Sequence, residues 1–131
     1  MTEVKETPNF TNGIYSYDVH TYWNKTSPSE KKFSIELREK LINDFKDDIE
    51  KGLIRVHKFW EEPIGPHPIV MWEVDFKTPE IFVKLVPWFQ INHGKLSVLI
   101  HPRTDDGDLL DHTDYALWLG HKQRLLTEKL K

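Results

Sequence analysis

Cysteine is absent from the 131 residues, which excludes disulfides, thiolate metal sites and a cysteine nucleophile. Long apolar runs are absent as well. No stretch approaches the ~20 residues that a membrane-spanning helix needs, and Met1-Thr2-Glu3-Val4-Lys5-Glu6 is too polar for a secretory signal. A strong charge of either sign is also missing: the net charge is −3 and the pI about 6.1, which argues against nucleic acid and membrane as partners. There is no repeat, no low-complexity stretch and no linker. The chain therefore reads as one domain, residues 13–131, behind a polar N-terminal arm, residues 1–12. A cytoplasmic location is expected. At 38% hydrophobic and 30% charged it has the composition of an ordinary globular protein.

Histidine is what the chain has. Of seven histidines, two sit beside proline, in Gly65-Pro66-His67-Pro68 and in His101-Pro102. Proline fixes its own φ and confines the preceding residue to extended conformations. An imidazole on so restricted a backbone suits metal binding or proton transfer, both of which need the group in place beforehand. With no thiolate available, a metal must be held by imidazole and carboxylate, a set suited to Fe(II), Mn(II) or Zn(II).

Residues 14–23 are dense in aromatic and β-branched side chains and predict a first strand. Ser27-Pro28-Ser29-Glu30 is a capping box with proline in the first turn. The stripe Phe33, Leu37, Leu41, Ile42, Phe45, Ile49 keeps helical spacing to a stop at Gly52. Residues 53–59 and 69–76 predict two more strands. Thr78-Pro79-Glu80 opens a second helix, which Pro87 should kink or end. Residues 96–101 predict a fourth strand, and the tail from Asp111, with Asp111 as its cap, a C-terminal helical extension. The order is that of an α+β, ferredoxin-like (βαββαβ) fold: a four-stranded antiparallel sheet with both helices on one face and the other face open.

Strand alternation assigns side chains to faces. Val70, Trp72, Val74 and Phe76, with Leu96, Val98 and Ile100, should face the helices. The open face then collects Asp18, His20, Tyr22, Arg55, His57, Met71, Glu73, Asp75, Ser97, Leu99 and His101. A plain solvated face is the alternative reading. His20 lies late in the first strand and His101 ends the antiparallel fourth, which puts them toward opposite ends of the sheet. An offset register, the His67 loop, the C-terminal extension or a second subunit would each complete a site.

Tyr17-Asp18-Val19-His20, Pro63-Ile64-Gly65-Pro66-His67-Pro68, Val86-Pro87-Trp88, Leu96-Ser97-Val98-Leu99-Ile100-His101-Pro102 and Asp111-His112-Thr113-Asp114-Tyr115-Ala116-Leu117-Trp118-Leu119-Gly120 follow one another in order. In these motifs, over roughly residues 14–125, the chain resembles the DOPA 4,5-dioxygenase family, small proteins of ferredoxin-like fold. The resemblance implies extradiol cleavage of a catechol such as L-DOPA by O2 and a non-haem Fe(II). His20, His67, His101 and His112 fall on the family's motif positions. Asp18 stands where many members carry a second histidine, and Tyr115 where many carry another.

Such chemistry needs a divalent metal with two open positions and about three protein ligands. His20 and His101 are expected as ligands, with His67 or Glu73 as the third. His112 or His67 is expected to exchange the catechol proton. Tyr22 and Trp88, with Trp72 and Trp118 as weaker choices, are expected to stack on the ring, and Arg103 to hold a substrate carboxylate. Met71 and Leu99 on an open face imply a homodimer. The rival readings are a non-catalytic metal- or aromatic-ligand-binding homo-oligomer and a cofactor-free aromatic-modifying enzyme.

Overall fold

The computed structural model describes residues 7–59 and 61–130. Among these residues five strands and four α-helices follow in order, with a 3-10 turn before the first and after the last: β1 (Ser16–Tyr22), α1 (Pro28–Asp44), α2 (Lys46–Glu50), β2 (Ile54–Val56), β3 (Met71–Phe76), α3 (Pro79–Asn92), β4 (Val98–Arg103), α4 (Asp108–His112) and β5 (Leu117–Leu119). The strands form one antiparallel sheet in the order β2-β3-β1-β4-β5. Among the described residues no helix is long and apolar enough to cross a membrane.

Both long helices begin as their caps dictate. The Ser27 side chain accepts the Glu30 N–H and Thr78 accepts that of Ile81, each with proline in the first turn. Leu37 and Leu41 of α1 and Ile81, Leu85 and Phe89 of α3 pack with Val19, Trp72, Val74, Phe76, Val98 and Ile100 in one core. This is the helix-covered face that alternation assigns. Phe33 does not join it and is 39% exposed. Ser34 takes the inner position because the buried Trp72 indole N–H needs an acceptor and donates to Ser34 Oγ at 2.9 Å.

Four expectations are corrected. Pro87 neither ends nor splits α3. Its missing donor orphans only the carbonyl of Val83, and both residues face water, which satisfies that carbonyl. The fourth strand lies two residues later than expected and includes Pro102, which is tolerated past Ile100, where pairing with β5 has ended. Among the described residues the tail is not a continuous helix: α4 is one short turn, residues 117–119 add a fifth strand, with Trp118 opposite Leu99, and a 3-10 turn follows at Thr127–Lys129. Asp111 is not a cap; it is buried within α4, and Gly107 precedes that turn without a side-chain cap.

The second face of the sheet is also less open than expected. Met71, Leu99 and Tyr22 are buried beneath Leu125, with Trp118, Ala116 and Ile69 alongside. The chain's own C-terminal segment covers the apolar part of this face and leaves the polar part uncovered. Of the N-terminal arm, residues 1–6 lie outside the described residues, and Phe10 packs edge-on to Tyr17 at 5.0 Å.

Candidate metal centre

Register brings the distant motifs together. In the β1–β4 pair Asp18 lies opposite His101 and His20 opposite Leu99, while in the β1–β3 pair His20 lies opposite Glu73. His101 is therefore the diagonal neighbour of His20 on one face, not at the far end of the sheet. Their Nε2 atoms are 3.1 Å apart. One chain suffices to join them.

Two irregular segments close over this point. The loop carrying His67 is tied down by the Leu126 N–H, which donates to the Pro66 carbonyl at 2.7 Å. His67 is thereby buried, its ring centroid 4.2 Å from that of His20 and its Nδ1 2.5 Å from the Tyr22 hydroxyl. On the other side, buried Asp111 accepts from the Thr104 N–H at 3.0 Å and the Thr104 hydroxyl at 2.6 Å. That clasp folds α4 back on β4 and sets the His112 ring 3.8 Å from that of His101. Asp18, His20, Ile64, Gly65, Pro66, His67, Met71, Glu73, His101 and His112 line a cleft of about 270 Å³.

Two sets of donor atoms lie within 4.8 Å of one another: His20, His101 and His112, and Asp18, His20 and Glu73. The hydrogen bonds set the tautomers, because a carbonyl only accepts. His101 Nδ1–H donates to the Pro102 carbonyl at 3.1 Å, and His112 Nδ1–H to that of Asp108 at 2.7 Å. Both therefore leave Nε2 bare, the arrangement of a metal-ligating histidine. Two nitrogens bound at ~2.1 Å and at right angles to a metal lie about 3.0 Å apart, close to the His20–His101 separation. His20 Nδ1 is buried with no partner among the described residues, so the ring's polar contacts run through Nε2.

Electrostatics point the same way. Burial, reinforced by the neighbouring imidazoles, holds His20 well below its usual pKa. Burial and then His112 depress His67 to about 4 and His101 to about 3. Burial first, then the Glu73 and Asp75 carboxylates, raise Asp18 to about 7, and Glu73 is also raised, chiefly by burial. Neutral imidazoles are the form that ligates a metal, and a bound cation would draw the two carboxyls back to their ionised form. The donor set fits a divalent metal.

The structure thus gathers His20, His67, His101, His112, Glu73 and Tyr22, together with Asp18. It does not gather the remaining expected residues. Trp88 lies on the helix side, where its indole N–H donates to Asp44 at 2.9 Å. Trp72 is core. Arg103 sits 5.3 Å from the Tyr15 ring and donates from Nε to Ser16 Oγ at 3.1 Å. Of the expected stacking residues Tyr22 reaches the site through His67, and Trp118 stacks on Tyr22 at 5.8 Å. His57 is bound by Asp75 Oδ2 at 2.5 Å, beside the Arg55–Asp75 pair. Sequence reasoning gave Asp111 a capping role and missed its pairing with Thr104; a threonine seven residues before an aspartate carries no signal until the loop closes.

A protein of Botryotinia fuckeliana described as uncharacterized is 42% identical over 125 residues, 88% of this chain and 65% of its own length. A DOPA 4,5-dioxygenase of Amanita muscaria is 29% identical over 109 residues, 82% of this chain and 46% of its own. The chain thus spans less than two thirds of either relative. A crystal structure of a candidate dioxygenase from Nostoc punctiforme superposes with a TM-score of 0.71 at 32% identity, covering 88% of this chain and 90% of the other. The sequence pattern of the Dopa 4,5-dioxygenase family runs through residues 17–129, from the first strand to the last turn, and the chain belongs to that family.

Proposed function

We propose that the protein is a non-haem, Fe(II)-dependent extradiol dioxygenase that opens a catechol with O2, on a ferredoxin-like core extended by β5. The observation that carries this reading is the pair of buried Nε2 atoms 3.1 Å apart in a cleft that also holds His112, Asp18 and Glu73. His20 and His101 hold the metal, and His112 or Glu73 completes the set. His67, the other third ligand considered, stands outside both donor groups. When bound, Fe(II) supplies open positions for catecholate and O2 and the electron exchange that ring opening requires.

His67 exchanges protons with the substrate. Tyr22 occupies its Nδ1, so exchange takes place at Nε2. That nitrogen is a lone pair when Nδ1–H donates to the phenol and an N–H when the phenol donates to Nδ1. A proton moved along this bond converts an acceptor for the catechol proton into a donor for the opening ring. Tyr22 itself stays protonated, its pKa raised by burial and by Glu73. The bond beside the two hydroxyls breaks, both oxygen atoms enter the product, and an aldehyde and a carboxylate appear.

Zn(II) and Mn(II) are the other metals suited to these donors. A cytoplasmic homodimer completes the proposal: Leu117 at 48% and Tyr115 at 43% exposure are the apolar surface near β5 that a second copy would cover. Anaerobic reconstitution with Fe(II), followed by oxygen uptake with catechols, tests the reading. Consumption of one O2 per catechol with a yellow product is expected. Metal bound with no uptake favours the non-catalytic binding protein, and catechol conversion by metal-free protein favours the cofactor-free enzyme.

A further inference from the structure

A strap of chain crosses from β5 to the His67 loop. Gly120, at a φ of +72°, turns it away from β5, where a Cβ would meet the Leu96 carbonyl oxygen at 3.0 Å. Gln123 Nε2 then donates to Ser97 Oγ at 3.0 Å, and Leu125 is buried with Tyr22, Met71 and Leu99. Leu126 follows at φ −81° and ψ 77°, an inverse γ-turn closed by the Thr127 N–H, which donates to the Leu125 carbonyl at 3.0 Å. The Leu126 N–H points out of that turn and donates to the Pro66 carbonyl at 2.7 Å. Residues 64–67 form a tight turn of their own. There the His67 N–H donates to the Ile64 carbonyl at 3.2 Å across Gly65, at a φ of +59°. Among the described residues two hydrogen bonds join this turn to the rest of the protein, Tyr22 hydroxyl to His67 Nδ1 and Leu126 N–H to the Pro66 carbonyl.

We propose that the strap is a positioning device for proton exchange, with the Leu126 backbone N–H as the group that places the His67 imidazole. The proposal rests on the ring-cleavage reading for the reaction and goes beyond it in assigning what aims His67. Both polar atoms of the Pro66–His67 peptide are engaged, its N–H by Ile64 and its oxygen by Leu126. A planar unit bonded at both ends has a fixed orientation, and with it the direction in which the His67 side chain leaves the backbone. Ile64 and Gly65 are exposed, so packing from their side does not replace the strap. His67 stands outside both groups of metal donors. Loss of the strap bond therefore separates proton exchange from metal binding.

Leu126→Pro removes the donor and keeps the turn, because proline accepts a φ near −81° and Leu125 before it lies outside any helix. A chain with an ester in place of the amide between Leu125 and Leu126 loses the N–H alone, so the two donor-less chains check each other. Leu126→Ala shortens the side chain and keeps the N–H. Metal-free protein is treated with diethyl pyrocarbonate, which acylates accessible neutral imidazoles, and labelling is mapped by mass spectrometry with exposed His121 as the reference. Buried His67 is expected to react about tenfold or more faster in both donor-less chains than in the wild type, and at the wild-type rate in Leu126→Ala. Loaded with Fe(II), the donor-less chains should bind as much metal as the wild type. Their kcat should fall about 10–100-fold with KM within about threefold, and Leu126→Ala should stay within about threefold in both. Unchanged His67 labelling in the donor-less chains, labelling in Leu126→Ala as fast as in Leu126→Pro, loss of metal with the donor, or a rise in KM at constant kcat would each overturn the inference. The expected labelling in a protein that opens no catechol would sink the dioxygenase reading and leave the strap's hold on His67 standing.

Discussion

At the scale of single residues, the site works by depriving groups of their usual partners. Tyr22 is buried and its hydroxyl bonds His67 Nδ1. Tyr22→Phe leaves that nitrogen buried and unpaired, so a loss of about 1–3 kcal/mol of stability is expected, with a fall of about 10–100-fold in turnover. Chemical denaturation and steady-state kinetics read the two effects separately. The histidines also make stability depend on pH in the metal-free protein. His20, His67 and His101 have folded pKa values below the free value of 6.5, so the unfolded chain takes up protons first as the pH falls through that value, and stability is lost. Asp18 and Glu73 act oppositely, because the folded state keeps their protons: for Asp18 stability is lost as pH rises from about 4 towards 7, and Glu73, also raised, acts in the same sense. Three groups oppose two. Net stability should fall on acidification from about pH 6.5 to 4.5, by about 1.4 kcal/mol per pH unit for each net proton. Denaturation midpoints that rise over this range would contradict the assignment.

At the scale of elements, legibility followed locality. The starts of α1 and α3 could be read because a cap and its acceptor lie three residues apart. The faces of β1, β3 and β4 could be read because alternation needs only the strand itself. The fifth strand could not, since Leu117-Trp118-Leu119 is too short to show a period and exists because β4 has an edge to pair. Phe33 misled for a similar reason: helical spacing marks a stripe but not which neighbour the indole of Trp72 requires. The Ser34–Trp72 bond can be tested directly. Ser34→Ala removes the acceptor of a buried N–H and should cost about 1–3 kcal/mol in thermal or chemical denaturation, with activity unchanged because the pair lies on the helix side. A neutral Ser34→Ala would mean that the indole finds another acceptor.

At the scale of the whole molecule, the sheet register turns scattered motifs into one cleft. His20 and Glu73 on one face were legible from alternation. The meeting of His20 with His101 was not, because the fourth strand lies two residues later than its apolar run suggests. The place of His112 beside His101 depends on the Thr104–Asp111 clasp, which no local pattern announces. A metal bound only to the folded state must raise its stability by mass action, so Fe(II) should raise the melting temperature of the protein and leave that of His101→Ala nearly unchanged. The central claim is that His20 and His101 jointly hold that metal. It is tested most directly by counting Fe(II) bound per chain, under nitrogen, in the wild type, His20→Ala, His101→Ala and the exposed control His121→Ala. One ion per chain in the wild type and control, with loss in both site variants, is the predicted result; full occupancy in His20→Ala and His101→Ala would contradict it.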